Sequence, residues 1–298
     1  MPVGLIFSGQ GAHAIGMGKS YYENSPKARE LFEQADEVLG WSLTKACFEG
    51  PDELLTETRV CQPALYLHGV VAVESMKERG LLPEISAASG LSLGELTAHY
   101  AAGTYDFATG LKLVAERGRL MQEACDATAG GMASLIGGSP ETAVELAANH
   151  DVDIGNQNCP GQVVLSGSKE GIAGAVAEAK EAGFKMAVPL KVAGAYHSRL
   201  MQPARDAYEA FIAPFDFKTP SIPVFSNTTG QVVSEPAAIK EALVKQVTST
   251  VLWTDCFNGM IASGVTEFYE CGPGKVLAGL AKRIDRSATV IDKAEYEA

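Results

Sequence analysis

The pentapeptide Gly90-Leu91-Ser92-Leu93-Gly94 stands between a short apolar run at residues 85–89 and a helical pattern at residues 95–102. In that context a serine occupies a tight turn from a strand into a helix, where the flanking glycines remove side-chain clashes and expose the hydroxyl. A serine placed in this way can form a covalent acyl intermediate. The motif therefore makes Ser92 a candidate nucleophile, with an ordinary turn serine as the alternative.

Strand and helix patterns alternate along much of the chain. Apolar runs that end at Gly, Pro or Ser predict strands at residues 3–7, 85–89, 223–226 and 265–270. Helical patterns lie at residues 27–39, 63–79 and 95–102, the first of them opened by Ser25-Pro26 as cap and first-turn residue. This alternation predicts an α/β fold.

The middle of the chain has a pattern of its own. It predicts strands at residues 132–136, 152–154, 163–165 and 185–192, with helices at residues 139–150 and 169–182. The order β-α-β-β-α-β is that of a ferredoxin-like unit. We therefore predict a small domain at residues 129–193, inserted into a discontinuous large domain formed by residues 1–128 and 194–298.

Acidic residues outnumber basic ones, with 36 Asp plus Glu against 24 Lys plus Arg and a formal net charge of −12. A nucleic-acid binder needs clustered Lys and Arg, so no nucleic-acid partner is expected. No apolar stretch approaches the roughly 20 residues that cross a bilayer, so we expect a soluble cytoplasmic protein with no membrane attachment. The cysteines form no C-x-x-C pair and the histidines no H-E-x-x-H motif, which argues against a metal site or a disulfide framework.

A nucleophilic serine needs a base, and His197 is the best placed of the five histidines. It follows the last predicted strand of the small domain, where the chain returns to the large domain and where a cleft is expected. A packed core histidine is the alternative. Because no Asp follows closely behind His197, a backbone carbonyl is the candidate for the group that orients its ring.

Two backbone amides are candidates for an oxyanion hole. Leu93 follows the serine at a helix N-terminus, where N–H groups are free and the helix dipole is positive. The turn at residues 9–14 fits G-x-G-x-x-A, the outline of a dinucleotide fingerprint, but no second strand ending in an acidic residue follows at the required distance. We favour a turn whose backbone N–H groups face an oxyanion, with Gln10 as the second donor.

The helical pattern at residues 106–126 separates two arginines. Arg119 belongs to a charged face, whereas Arg117 lies at helical spacing from Leu113, Val114 and Met121 on the apolar face. An inward guanidinium must find an anion or several acceptors, because an unpaired buried charge is very costly. Spacing alone favours an internal Asp or Glu as the partner, with a ligand carboxylate as the alternative.

Together these motifs resemble the malonyl-CoA:acyl carrier protein transacylase family. The matching segments run in the family's order at residues 8–11, 16–18, 90–95, 117–122, 156–162, 195–198, 226–227 and 272–277. The resemblance implies an α/β-hydrolase-like domain with a ferredoxin-like insert. It also implies transfer of malonyl from malonyl-CoA to the phosphopantetheine thiol of acyl carrier protein in fatty acid biosynthesis, by a monomer that uses no cofactor.

The resemblance assigns roles to individual residues. It implies Ser92 as nucleophile, His197 as base, and Gln10 and Leu93 as oxyanion donors, with Arg117 paired to the malonyl carboxylate. It further implies the carbonyl of Gln246 as the group that orients the histidine, and Met121, Asn156 and Asn158 as substrate-binding residues. Two positions depart from the family pattern: Leu91 stands where His is more frequent, and Tyr196 stands where many members have Phe.

Other functions remain open at this stage. A transacylase for another acyl group or for a polyketide carrier protein would share the serine and the histidine, as would a plain serine hydrolase. An inactive homologue that only binds a carrier protein belongs to a different class. An inward Arg117 discriminates among the enzymes, because neither a neutral acyl group nor an ordinary ester gains from a buried cation.

Overall fold

The computed structural model describes residues 2–296. Its first sheet contains four parallel strands, which are β1 (Val3–Phe7), β2 (Ile85–Gly90), β7 (Glu267–Cys271) and β8 (Thr289–Asp292). Their order across the sheet is β2-β1-β7-β8. Every residue of β1 is buried, as expected for a central strand covered on both faces. Because all four strands are parallel, their carboxyl ends meet at one edge of the sheet.

Helices surround this sheet. They are α1 (Lys19–Asn24), α2 (Pro26–Leu39), α3 (Leu43–Glu49), α4 (Asp52–Thr56), α5 (Thr58–Glu78), α6 (Leu93–Ala101), α7 (Phe107–Ala127), α10 (Gln202–Ile212), α11 (Pro236–Gln246), α12 (Trp253–Ala262) and α13 (Val276–Ile284). Side-chain caps fix several starts: Ser25 accepts a hydrogen bond from Ala28 N, and Asp106 accepts one from Thr109 N. The long helices α5 and α7 pack against each other.

The second sheet is antiparallel. Its strands come, in chain order, after α7 and before a short 3-10 turn at Arg199–Met201. It contains β3 (Gly130–Ile136), β4 (Asp153–Cys159), β5 (Gln162–Ser168) and β6 (Met186–Pro189), with α8 (Pro140–Asn149) and α9 (Lys169–Glu178) packed on one face. The strand order β4-β5-β3-β6 is that of a ferredoxin-like unit. The predicted α/β fold class with this insert is confirmed, whereas the domain boundaries at 128/129 and 193/194 stay a prediction.

The strand predicted at residues 185–192 is shorter, at Met186–Pro189, and the helix predicted at residues 169–182 ends at Glu178. Three other predicted elements differ more. The strand predicted at residues 223–226 forms only single bridges, Ala88 with Val224 and Phe225 with Val232, because the chain turns at once through a hydrogen bond from Gly230 N to Ser226 O. Helix α5 begins five residues before the predicted start, with Pro63 inside it. Strand β4 runs to Cys159 rather than ending at residue 154.

Over residues 2–296, no helix combines the length and the apolar character that crossing a bilayer requires.

Candidate active site

Ser92 lies at a strained turn between β2 and α6. Its backbone has φ 56° and ψ −109°, a conformation that non-glycine residues rarely adopt, and it immediately precedes the first residue of α6. The turn is very tight, because a Cβ at Gly94 would lie 2.3 Å from the Phe7 carbonyl oxygen. The backbone N–H of Ser92 donates to Asn227 Oδ1 at 2.7 Å. The predicted strand-to-helix turn is thus present, with the serine hydroxyl at its tip.

His197 is in hydrogen-bond contact with the serine. Its Nε2 lies 2.8 Å from Ser92 Oγ, and its Nδ1 lies 2.8 Å from the backbone oxygen of Gln246. Since a carbonyl can only accept, Nδ1 carries the proton and Nε2 is left to accept from the serine hydroxyl. Burial, together with the nearby charge of Arg117, lowers the pKa of His197 to about 4, so the ring is neutral at pH 7.

Arg117 is 1 % exposed and lies directly behind the serine. Its Nη1 donates to Gln62 Oε1 at 2.7 Å, and its Nη2 donates to Gln246 Oε1 at 2.8 Å and to Ser92 Oγ at 3.1 Å. In the part of the chain that the structure describes, no carboxylate lies within ion-pair distance of this guanidinium, and its Nε has no hydrogen-bond partner. The prediction that an internal Asp or Glu pairs directly with Arg117 is therefore wrong. Its partners are the neutral oxygens of Gln62, Gln246 and Ser92.

The Arg117 side chain remains a cation at neutral pH despite its burial. Burial lowers the pKa of its guanidinium to about 10, and the charge of Glu95 opposes that shift. Arg119, two residues along the same helix, instead pairs with Glu116 and Glu123 at the surface. The inward position predicted for Arg117 and the outward position predicted for Arg119 are both confirmed.

Gln246, the last residue of α11, connects these groups. Its carbonyl oxygen accepts from His197, its side-chain oxygen accepts from Arg117, and its Nε2 donates to Glu95 Oε2 at 2.5 Å. The residue is fully buried, so each polar atom must find its partner within the protein. One side chain and its own backbone thus fix both the histidine and the arginine.

Gln10 and Leu93 border the same cavity as the serine. Leu93 is the first residue of α6, so its N–H has no acceptor in a preceding helical turn. Gln10 lies in the turn after β1, and its Nε2 donates to Thr58 Oγ1 at 3.3 Å and to the Tyr196 hydroxyl at 3.5 Å, while Thr58 and Tyr196 also bond each other. Tyr196 therefore ties this turn to the segment that carries His197.

The cavity in front of the serine has a volume of about 370 Å³ and lies between the two sheets. Met121, Asn156 and Asn158 line it, and the buried Oδ1 of Asn158 has no partner among residues 2–296, while their predicted role in substrate binding stays a prediction. A larger open groove of about 840 Å³ beside α2, α3 and α7 contains none of the predicted site residues. Arg117 and Gln246 lie behind the cavity wall, which Arg117 reaches through Ser92 Oγ.

Three polar residues of this site carried no role in the sequence prediction. Gln62 and Glu95 lie on helices and Asn227 lies in a turn, and all three are buried. Asn227 fixes the turn between β2 and α6, called the elbow below, through two hydrogen bonds. Its Nδ2 donates to Gly90 O, and its Oδ1 accepts from Ser92 N. The only signal in the sequence was that Glu95 and Asn227 belong to motifs of the family.

A strained serine at the end of a parallel strand, a neutral histidine within 2.8 Å and a helix N-terminus next to the serine define an α/β serine enzyme of the acyl-transfer or hydrolase class. The comparisons with known proteins narrow this class. Residues 5–295 match the model of the acyl transferase domain.

Two curated relatives and one solved structure match nearly the whole chain. A malonyl CoA-acyl carrier protein transacylase of Bacillus subtilis is 41% identical over 300 residues, which cover 99% of this chain and 94% of the relative. A polyketide biosynthesis malonyl CoA-acyl carrier protein transacylase of the same organism is 38% identical, covering 97% and 99%. The crystal structure of an acyl carrier protein S-malonyltransferase from Vibrio cholerae superposes with a TM-score of 0.95 at 38% identity, covering 99% and 98%. The chain belongs to the malonyl-CoA:acyl carrier protein transacylase family.

Proposed function

We propose that this protein transfers a malonyl group from malonyl-CoA to the phosphopantetheine thiol of acyl carrier protein, through an ester on Ser92, in fatty acid biosynthesis. The observation that carries the proposal is Arg117, a buried cation in contact with the nucleophile, with no carboxylate within ion-pair distance among residues 2–296. A free carboxylate at the far end of the acyl group supplies the missing anion, and an arginine can hold it by two parallel hydrogen bonds.

In the first half-reaction, His197 Nε2 takes the proton of Ser92 Oγ while that oxygen attacks the thioester carbon. The amides of Gln10 and Leu93 stabilise the negative charge that develops on the carbonyl oxygen. As the intermediate collapses, the bond from carbon to sulfur breaks, and His197 returns its proton to the sulfur of coenzyme A. Throughout, Gln246 holds the histidine ring in the tautomer that this step requires.

In the second half-reaction, the carrier-protein thiol enters the same cleft and loses its proton to His197 Nε2. Its sulfur attacks the ester on Ser92, and the serine oxygen leaves with the proton from the histidine. All bonds and protons balance with these residues alone, so we propose that the reaction needs no cofactor. Arg117 keeps the malonyl carboxylate fixed through both halves by exchanging its hydrogen bond to Ser92 Oγ for one to the substrate.

We also propose that the protein works in the cytoplasm. All six cysteines are free and buried, and burial raises the pKa of the thiol of Cys61 to about 12, so they are unreactive thiols of a kind found in reducing compartments.

Acyl carrier protein is acidic and this chain has a net charge of −12, so docking must use a local basic surface.

Intact-protein mass spectrometry after brief mixing with malonyl-CoA tests the proposal. The wild type is expected to gain one malonyl mass that maps to Ser92 and disappears when reduced carrier protein is added. Ser92→Ala is expected to gain no mass. Equal labelling of the alanine variant would disprove the assignment, and loss of the adduct to water as fast as to carrier protein would identify a hydrolase instead.

A further inference from the structure

Two opposite charges are fully buried behind the nucleophile without touching each other. Arg117 and Glu95 are 1 % and 0 % exposed, and neither forms an ion pair among residues 2–296. Two unpaired charges in one buried region would be very costly, so each requires a compensating charge within reach of its field. The contacts between them show how that compensation is achieved.

The side-chain amide of Gln246 bridges the two charges. Its oxygen accepts from Arg117 Nη2 at 2.8 Å, and its nitrogen donates to Glu95 Oε2 at 2.5 Å. The reverse orientation would turn the amide N–H groups toward the guanidinium and the oxygen toward the carboxylate, a clash at both ends. The amide dipole is therefore aligned between a cation and an anion, and the two charges together fix Gln246.

One carboxylate oxygen of Glu95 is hydrogen-bonded, whereas the other, Oε1, has no hydrogen-bond partner among residues 2–296. Oε2 accepts from Gln246 Nε2 and from the backbone N–H of Asn227 at 3.0 Å, so both groups are donors. Burial is the largest effect and raises the pKa of this carboxyl, while these hydrogen bonds and the charge of Arg117 partly oppose it.

We propose that Glu95 is the buried counter-charge of Arg117, acting through Gln246, and that the intervening amide leaves the guanidinium free to take the carboxylate of the substrate. The inference rests on the proposed function. A carboxylate in direct contact with Arg117 would compete with malonyl for the same N–H groups, whereas one placed an amide away stabilises the cation without occupying them. Glu95 is a positioning residue, because its side chain bonds Asn227 N and Gln246 Nε2 and does not line the cavity.

Glu95→Gln tests the charge while keeping an oxygen where Oε2 accepts its hydrogen bonds. Single-turnover acylation of Ser92, measured against malonyl-CoA and acetyl-CoA concentration, separates half-saturation from maximal rate. The variant removes a negative charge near the bound carboxylate. The malonyl-CoA concentration at half-saturation is therefore expected to fall about threefold or more, while that of acetyl-CoA changes less than about twofold.

Two further variants separate charge from shape. Glu95→Asp keeps the charge but shortens the reach, so the maximal rate is expected to fall for both donors without a lower malonyl half-saturation. Glu270→Gln is the matched control: Glu270 is also 0 % exposed, but it caps α13 through Leu277 N and Ala278 N, away from Arg117. It is expected to leave the ratio of the two half-saturation concentrations unchanged.

The outcomes distinguish this inference from the proposed function. A wild type that forms no malonyl ester refutes the proposed function itself. A wild type that forms the ester, with a Glu95→Gln variant whose half-saturation is unchanged or shifts equally for both donors, overturns only the role of Glu95. A selective fall for malonyl, absent in Glu270→Gln, supports it.

Discussion

At the scale of single residues, one helix carries two arginines with opposite surroundings. The Arg119 side chain is 46% exposed and is neutralised by surface glutamates, so its removal costs little. Arg117 is held by three neutral oxygens, and such acceptors satisfy its N–H groups without neutralising its charge. The remaining charge is the part of the site that can select a diacid thioester over a neutral one.

Arg117→Ala is expected to reduce malonyl transfer by roughly 10- to 150-fold, which corresponds to ~1.5–3 kcal/mol for charge-assisted hydrogen bonds. Acetyl transfer, measured as kcat/KM with acetyl-CoA in the same assay, is expected to be spared or improved. Arg119→Ala serves as the control and is expected to alter neither. Comparable losses for the two acyl groups in Arg117→Ala would count against the carboxylate contact.

At the scale of elements, the elbow between β2 and α6 depends on close packing against the carboxyl end of β1. A Cβ at Gly94 would meet backbone atoms of Phe7 and Ser8 at 2.3–3.0 Å, closer than real Cβ contacts allow. These atoms belong to the last residue of the central strand and to the residue that follows it, and they cannot move without disturbing the end of the strand. The elbow therefore places the nucleophile and strand β1 at a fixed separation.

Gly94→Ala is expected to destabilise the protein by roughly 3 kcal/mol or more, because backbone must shift to admit the methyl group. Gly279→Ala is a matched control in helix α13, where a new Cβ meets nothing within 4 Å. There the substitution is expected to stabilise by about 0.5–1 kcal/mol, since alanine favours helix over glycine. Urea denaturation of both variants measures the difference, and equal midpoints would contradict this account of the elbow.

Elements with a local signal were predictable from the sequence, and those that depend on pairing were not. Strand β1 has the predicted bounds, and Ser25 caps α2 as predicted, because apolar runs and caps are local features. Strand β8 was missed and the segment at residues 223–226 was overpredicted, because a strand exists only where a neighbour pairs with it. Extended propensity cannot supply that neighbour.

The site divides in the same way. Ser92 and Arg117 were predictable because a motif and a helical spacing mark them in a single segment. Gln62, Glu95 and Asn227 are ordinary polar residues whose function arises only when α5, α6 and the turn after residue 225 meet. Their burial is a property of tertiary packing, which no short pattern encodes.

At the scale of the whole molecule, the protein buries three histidines in neutral form. Burial lowers the pKa of His68 and His197 to about 4 and that of His99 to about 3. An unfolded histidine titrates near 6.5, so below that pH the unfolded chain binds protons that the folded chain refuses. The stability that these residues contribute is complete above pH 6.5 and is lost as pH falls toward their folded pKa values.

Two buried carboxyls act in the opposite direction. Burial raises the pKa of the carboxyls of Glu95 and Glu270 in the folded protein. The stability that their protonated forms contribute is therefore lost as pH rises through the raised pKa of each group. The pH dependence of the wild type is therefore a sum of opposing contributions. The contribution of a single histidine to this pH dependence is obtained by comparing the wild type with a variant of that histidine across the same pH range.

His99→Asn isolates one such contribution, because His99 lies outside the active site and its Nδ1 makes a single hydrogen bond, to Thr104 Oγ1 at 3.1 Å. Above pH 6.5 the free energy of unfolding is expected to differ from the wild type by a constant amount. Between pH 6.5 and 4 that difference is expected to change by about 1.4 kcal/mol per pH unit in favour of the variant, the slope for one proton. Denaturant unfolding at pH 7.5, 6.5, 5.5 and 4.5 measures it. A constant difference throughout would mean that folding does not exclude the proton from His99.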